Sequence, residues 1–223
     1  LFNAGVVHRI GPHRINVKLA RHLAALGIAS LRFDLSGQGD SRASSSAAHY
    51  REQSVTDLRA AMDHLERTAG VQRFAIVGIC SGADHALSCA LVDERVAGLW
   101  MLDGYAYPTL KTRWLLYRRK FAQRGLFSSV VWALRRAAAA PARLLARMKP
   151  QPVVDYGRHV PSAADFARTL QQVVDRGVNV FMVYSGSLLN TYNYPEQFND
   201  VFGVHRFARE VRCEFHPDID HTV

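Results

Sequence analysis

A chain of 223 residues, 48% of them apolar, with 15 glycines and 8 prolines, suits one ordered globular domain. No apolar run reaches the ~18 residues of a spanning helix, and no basic stretch leads into an apolar signal-peptide core, so a cytoplasmic protein is expected. The formal charge of +9 is local: between Asp103 and Asp155 there is no acidic residue but eleven Lys and Arg, leaving seventeen basic and nineteen acidic residues elsewhere. No nucleic-acid motif accompanies that segment, so a nucleic-acid partner is not expected.

In chain order, "LFNAG" reads as the end of a strand, and a chain that opens inside a strand is expected to be cropped from a longer one. "HRINVKLARHLAALG" places Ile15, Leu19 and Leu23 on one helix face and ends at Gly27, a C′ glycine. Ile28–Leu35 reads as a strand, followed by a loop whose Asp34 and Asp40 are expected to bond loop amides. Ser54 and Asp57 make a capping-box-like start for a helix with Leu58, Met62 and Leu65 on one face. Arg73–Cys80 and Val96–Asp103 are further apolar runs of strand length. From Pro108 the alternation breaks for about forty residues into "RWLLYRRKFA", "SSVVWALRRAAAA" and "ARLLARM", helix-prone and basic, the pattern of a lid inserted between two strands. Ser162 then opens a helix with Phe166, Leu170 and Val173 or Val174 inward, and Val178–Tyr184 and Glu210–His216 complete the strands. Strands alternating with helices predict an α/β fold, a mostly parallel sheet flanked by helices. The organisation expected is one domain in two parts, 1–107 and 161–223, with a helical lid at 108–160.

The sharpest motif is "AIVGICSGADHAL". Gly78-Ile79-Cys80-Ser81-Gly82 follows a strand and opens a helix. A side chain thrust out at such a turn brings neighbouring backbones so close that a flanking Cβ would clash. The turn also sets Cys80 at a helix N-terminus, where partial positive charge favours a thiolate and free amides can hold an oxyanion. Cys80 is therefore the candidate nucleophile. Ser81, flanked by Cys80 and Ala83, lacks the glycine spacing of a rival. Cys89 falls within a helix and Cys213 within a strand, both as core residues. With no CxxC pair the three cysteines form neither a disulfide framework nor a structural zinc site, and no cofactor is expected.

These segments together resemble the α/β-hydrolase family over nearly the whole chain. Cysteine in the elbow resembles the dienelactone hydrolases and polyester synthases, and "NAG…HRIGPHR…LRFDLSGQGDS…GICSGA" is similar to small bacterial hydrolases associated with exosortase and exopolysaccharide systems. The resemblance implies that "FHPDIDHTV" is the C-terminal histidine loop, with His221 as general base, and that the oxyanion donors are the amides of Ser81 and of Gly5 or Val6. It also implies missing strands before Leu1 and a missing helix after His221. One departure matters. The family's acid usually follows the strand read here as Val178–Tyr184, where this chain has "YSGSLLNTYNY". Asp103, at the end of the preceding strand, is the first candidate, beside Glu196 or a dyad oriented by Asn190 or Asn193.

Arg14, with Arg9 and His13, is either a contact for a substrate carboxylate or phosphate or a solvated helix start, and Trp114 is a candidate substrate contact on the lid. Asp84 and His85 read as solvated or satisfied helix positions. His216, Asp218, Asp220 and His221 alternate like metal ligands, but no His cluster upstream completes a set. The basic segment is a solvated lid face, a dock for an acidic acyl carrier protein or coenzyme A, or a peripheral contact with an anionic membrane. The expected activity is hydrolysis of an acyl ester or thioester through a thioester on Cys80. The alternatives are an acyltransferase and a non-catalytic binding module of the same fold.

Overall fold

The computed structural model describes residues 1, 7–45, 49–124 and 159–220. Gly5, Val6, His221 and the two later helix-prone stretches expected in the lid lie outside the described residues.

Four strands, β1 (Phe74–Ile79), β2 (Val96–Leu102), β3 (Asn179–Ser185) and β4 (Arg212–His216), form one parallel sheet in sequence order. Alternation along each strand splits the apolar side chains between two faces. Ile76, Leu99, Met101, Val180, Met182 and Tyr184 join the larger core, whereas Ile79, Leu102 and Val183 form a second cluster with Ile15, Trp100 and Phe181. The near-continuous apolar runs in the sequence are explained by this two-sided burial.

Six α-helices are described: α1 (Ile15–Ala25), α2 (Tyr50–Ala69), α3 (Ser81–Val92), α4 (Leu110–Arg124), α5 (Ala163–Asp175) and α6 (Gln197–Phe202). α3 lies across β1 and β2, and nine of its twelve residues are buried. Ser162 caps α5 as its sequence position predicts, accepting the Asp165 N–H at 3.1 Å, and Phe166, Leu170, Val173 and Val174 are all buried. Gly27 also takes its expected place after α1, in left-handed backbone with φ 73°.

Two expectations need correction. α2 begins at Tyr50, not Ser54: Ser54 is buried one turn inside, its hydroxyl donating to the Tyr50 carbonyl at 2.7 Å, and Asp57 instead accepts from the N–H and hydroxyl of Ser36. Residues 28–35 are not a strand of the described sheet, and Leu31 there accepts a hydrogen bond from the Leu1 amino group at 2.9 Å. Of the two readings of Asp84 and His85, solvated or satisfied, burial leaves the second, because α3 is covered nearly all round.

Candidate active site

The carboxyl ends of all four strands meet on one edge of the sheet, where α/β folds place their ligands. Cys80 follows β1 directly. Its backbone has φ 53° and ψ −118°, a conformation that L-residues adopt only under strain, and its N–H reaches the Leu102 carbonyl at 2.7 Å. Gly78 explains how the turn closes: a Cβ there would lie 2.5 Å from the Gly82 carbonyl oxygen and 2.7 Å from the Ala83 nitrogen. The steric reading of the motif therefore holds at this glycine. Ser81 starts α3, so its amide stands at the positive end of that helix.

The other two cysteines are different. Burial pushes the Cys89 thiol up to about 12 and the Cys213 thiol to about 11, so both stay protonated at neutral pH. Cys80 is half-buried, at the tip of the turn.

Asp103 follows β2 as Cys80 follows β1, and the two are neighbours across the paired strand ends Ile79 and Leu102. It is 0% exposed and, like Cys80, has positive φ, 53°. Its carboxylate accepts the Ser185 N–H at 2.7 Å and the Ser185 hydroxyl at 2.5 Å. Ser185 ends β3, the strand after which the hydrolase resemblance leads one to look for an acid. The next two residues hold a different loop. Gly186 N–H donates to the Ile219 carbonyl at 2.7 Å, and the Ser187 hydroxyl donates to Asp220 at 2.9 Å. A Cβ on Gly186 would lie 2.2 Å from the Pro217 carbonyl oxygen. Ser185, Gly186 and Ser187 thus bracket Asp103 on one side and the chain leading into residue 221 on the other. The signal of this bracket in the sequence is the run of small residues, Ser185, Gly186 and Ser187, that ends an apolar strand.

The rival acid Glu196 and the two asparagines weighed beside it have other surroundings. Glu196 is at the surface, 63% exposed and paired with Lys111 at 3.4 Å. Asn193 donates its side-chain amide to the Thr112 carbonyl and so fastens α4, and Asn190 is exposed. Arg14 is exposed at the N-cap of α1 in left-handed backbone, φ 62°.

α4 stands over the same edge. Thr109 and Thr112 exchange N–H to hydroxyl bonds at 3.0 and 3.1 Å, which fixes its first turn. The Thr109 hydroxyl meets the Tyr194 hydroxyl at 2.7 Å, and the latter bonds Asp200. Between α4 and the loop after β3 lies a cleft of about 320 Å³, whose lining includes Leu115, Leu116, Arg119, Ala122, Leu189 and Asn193. Trp114 is not in that lining: it is exposed, with the Arg118 guanidinium 5.1 Å from its ring centroid.

Asp34 and Asp40 are structural, as expected. Burial raises the Asp34 carboxyl, but the Arg9 guanidinium and N–H, both at 2.5 Å, outweigh it and hold it below the usual carboxylate range. Arg9 also pairs with Asp40 at 2.7 Å. His8, Asp34 and Asp40 bring ligand atoms within 4.8 Å of one another, yet the charge answering both carboxylates is the Arg9 guanidinium, so this is an ion-pair cluster. Gly39 allows it, since a Cβ there would lie 2.4 Å from the Asp34 carboxylate.

A family model described as alpha/beta hydrolase fold matches residues 10–154. The chain belongs to the α/β-hydrolase fold family. Three solved hydrolases of this fold are similar in structure. An esterase of Pyrococcus furiosus is 12% identical with a TM-score of 0.58, over 99% of this chain and 72% of that one. A carboxylesterase of the thaumarchaeon Nitrososphaera gargenis is 15% identical with a TM-score of 0.50, over 99% and 82%. An alpha/beta hydrolase of Sphaerobacter thermophilus is 18% identical with a TM-score of 0.51, over 96% and 82%. At these identities the likeness concerns the hydrolase fold alone. No curated protein matches the chain. Among the described residues no helix is long and apolar enough to cross a membrane.

Proposed function

We propose that this α/β hydrolase cleaves acyl esters or acyl thioesters through a covalent intermediate on Cys80. The observation that carries the reading is the strained Cys80 backbone, φ 53° and ψ −118°, above a glycine with no room for a Cβ. Strain of this kind costs of order 1–3 kcal/mol and persists where the surrounding structure imposes it, most often at functional sites. The esterase activity named for the Pyrococcus furiosus and Nitrososphaera gargenis proteins is consistent with it.

In the proposed reaction the Cys80 sulfur attacks the acyl carbonyl carbon as His221 takes the thiol proton. The C–S bond forms, and the carbonyl electrons move to an oxyanion held by the Ser81 amide and by the Gly5–Val6 loop. Collapse expels the alcohol or thiol, which receives the proton from His221. Water, deprotonated by His221, then attacks the thioester and releases the acid and Cys80. Asp103 orients His221 and balances the imidazolium charge. Leu115, Leu116 and Leu189 line an apolar path for the acyl chain, under a lid formed by residues 108–160. An acyl carrier protein or coenzyme A can deliver that chain.

Brief exposure to a p-nitrophenyl acyl ester, followed by intact-mass spectrometry, is expected to show one acyl group on the protein, mapped to Cys80. Limiting iodoacetamide at neutral pH should likewise label Cys80 and spare Cys89 and Cys213, whose burial holds them as thiols. An acyl group found on Ser81, or labelling spread over the three cysteines, would remove Cys80 from its role.

The bracket after β3 gives a second test. Gly186→Ala forces a Cβ against the Pro217 carbonyl and displaces the loop that carries His221. A displacement of about 1 Å at a catalytic group costs on the order of 10²-fold in rate, so a loss of that size in kcat/KM is expected. Wild-type activity in this variant would show that the loop does not position the base.

A further inference from the structure

The cleft beside α4 combines leucine walls with an unanswered cation. Leu115 and Leu116 follow the buried Thr112 by three and four residues, and Arg119 follows them in turn by four and three, so one side of the helix carries all of them. Leu189 lines the cleft from the loop after β3, two residues past the Ser187 whose hydroxyl bonds Asp220. Of the two arginines in the lining, Arg118 places its guanidinium 5.1 Å from the Trp114 ring centroid. Arg119 makes no ion pair among the described residues. Glu196 is taken by Lys111, none of the described lining residues is acidic, and no acid occurs between Asp103 and Asp155.

We infer that this cleft takes an acyl chain that ends in a carboxylate, with its methylenes on Leu115, Leu116 and Leu189 and its far carboxylate on the Arg119 guanidinium. The inference rests on the hydrolase reading, in which the same leucines carry the acyl chain, and it names the acyl class: the half-ester or half-thioester of a dicarboxylic acid. A guanidinium matches a carboxylate in shape and grips it with two parallel N–H bonds. Beside apolar walls such a pair is screened less than in open water. The helix advances about 6 Å from Leu115 to Arg119, so several methylenes separate the two ends of the chain. Because Arg119 shares its cleft with the leucines, the charge it answers is on the acyl chain rather than on a leaving-group phosphate.

The test compares mono-p-nitrophenyl suberate with p-nitrophenyl octanoate, esters of one chain length with and without the far carboxylate. Arg119→Gln is expected to lower kcat/KM for the suberate ester by about tenfold, mostly through KM, and to leave the octanoate ester nearly unchanged. Lys120→Gln, the same change in net charge outside the cleft lining, should alter neither. Both positions are exposed, so both variants are expected to melt with the wild type. Calorimetry with suberamate and octanamide, which carry an amide in place of the ester, reads the site without turnover: Arg119→Gln should weaken suberamate by about tenfold and spare octanamide. Equal effects of Arg119→Gln on the two esters, with both amides bound as in the wild type, would overturn the carboxylate assignment and leave hydrolysis standing. Arg119-dependent binding of suberamate without turnover of either ester would keep the anion site and remove the hydrolase reading. A loss confined to octanoyl-coenzyme A would overturn the assignment in favour of a leaving-group phosphate.

Discussion

Cys80→Ala is expected to fold like the wild type and to lose turnover of a p-nitrophenyl acyl ester by about 10⁴-fold or more in kcat/KM. Alanine keeps the Cβ and therefore bears the same backbone strain at φ 53°, so the change removes only sulfur. The elbow stays closed, because its closure depends on Gly78 and on the Cys80 N–H bond to the Leu102 carbonyl, neither of which involves the thiol. Any residual rate then belongs to the amides at the start of α3 and to binding alone. Thermal melting and ester kinetics on the same preparation decide the matter. A variant that melts normally and hydrolyses the ester at the wild-type rate removes the nucleophile from this position.

Asp103→Asn should cost about 10³–10⁴-fold in kcat/KM, with a much smaller effect on folding. The new amide can keep one contact by presenting its oxygen to the Ser185 N–H. Its nitrogen then faces the Ser185 hydroxyl, which must rotate and accept, while also accepting the Ser187 N–H at 3.1 Å. The geometry survives, but the negative charge that steadies an imidazolium is gone. The pH–rate profile separates this from a merely structural effect, since only a positioning acid moves its limbs. Glu196→Gln is the control: that side chain is exposed and engaged with Lys111, so its loss should leave the rate nearly unchanged. If the glutamine variant is the impaired one, the acid has been misassigned.

What the sequence reveals follows from how local each determinant is. The elbow was legible because its requirement lies within five residues: a strand, a turn and a helix, with glycine at 78 where no Cβ fits. The cap at Ser162 was legible for the same reason, one hydroxyl answering an amide three residues on. The start of α2 was not, because Ser54 can bond either forward as a cap or back to Tyr50, and tertiary contacts of Asp57 with Ser36 decide between them. The burial of Asp84 and His85 was hidden because it depends on what covers α3, not on the composition of α3. Asp103 could be named from the sequence only as one of several carboxylates. Its distinction is the Ser185 contact from another strand, and the exposure of Trp114, outside the lining of the described cleft, was equally hidden because it depends on how α4 is turned.

The bond between Asp103 and Ser185 joins residues 82 apart in the chain, although their strands are immediate neighbours. Closing so long a segment before β2 and β3 can pair makes this step a slow one, and the acid acquires its surroundings late in folding. Once that closure is made, further length matters little, since each doubling of a flexible segment adds only about 0.6 kcal/mol of closure entropy. The crossing from β2 to β3 is therefore the place where this architecture can gain, lose or exchange whole helices during evolution while the register of the sheet, and with it the reactive edge, stays unchanged.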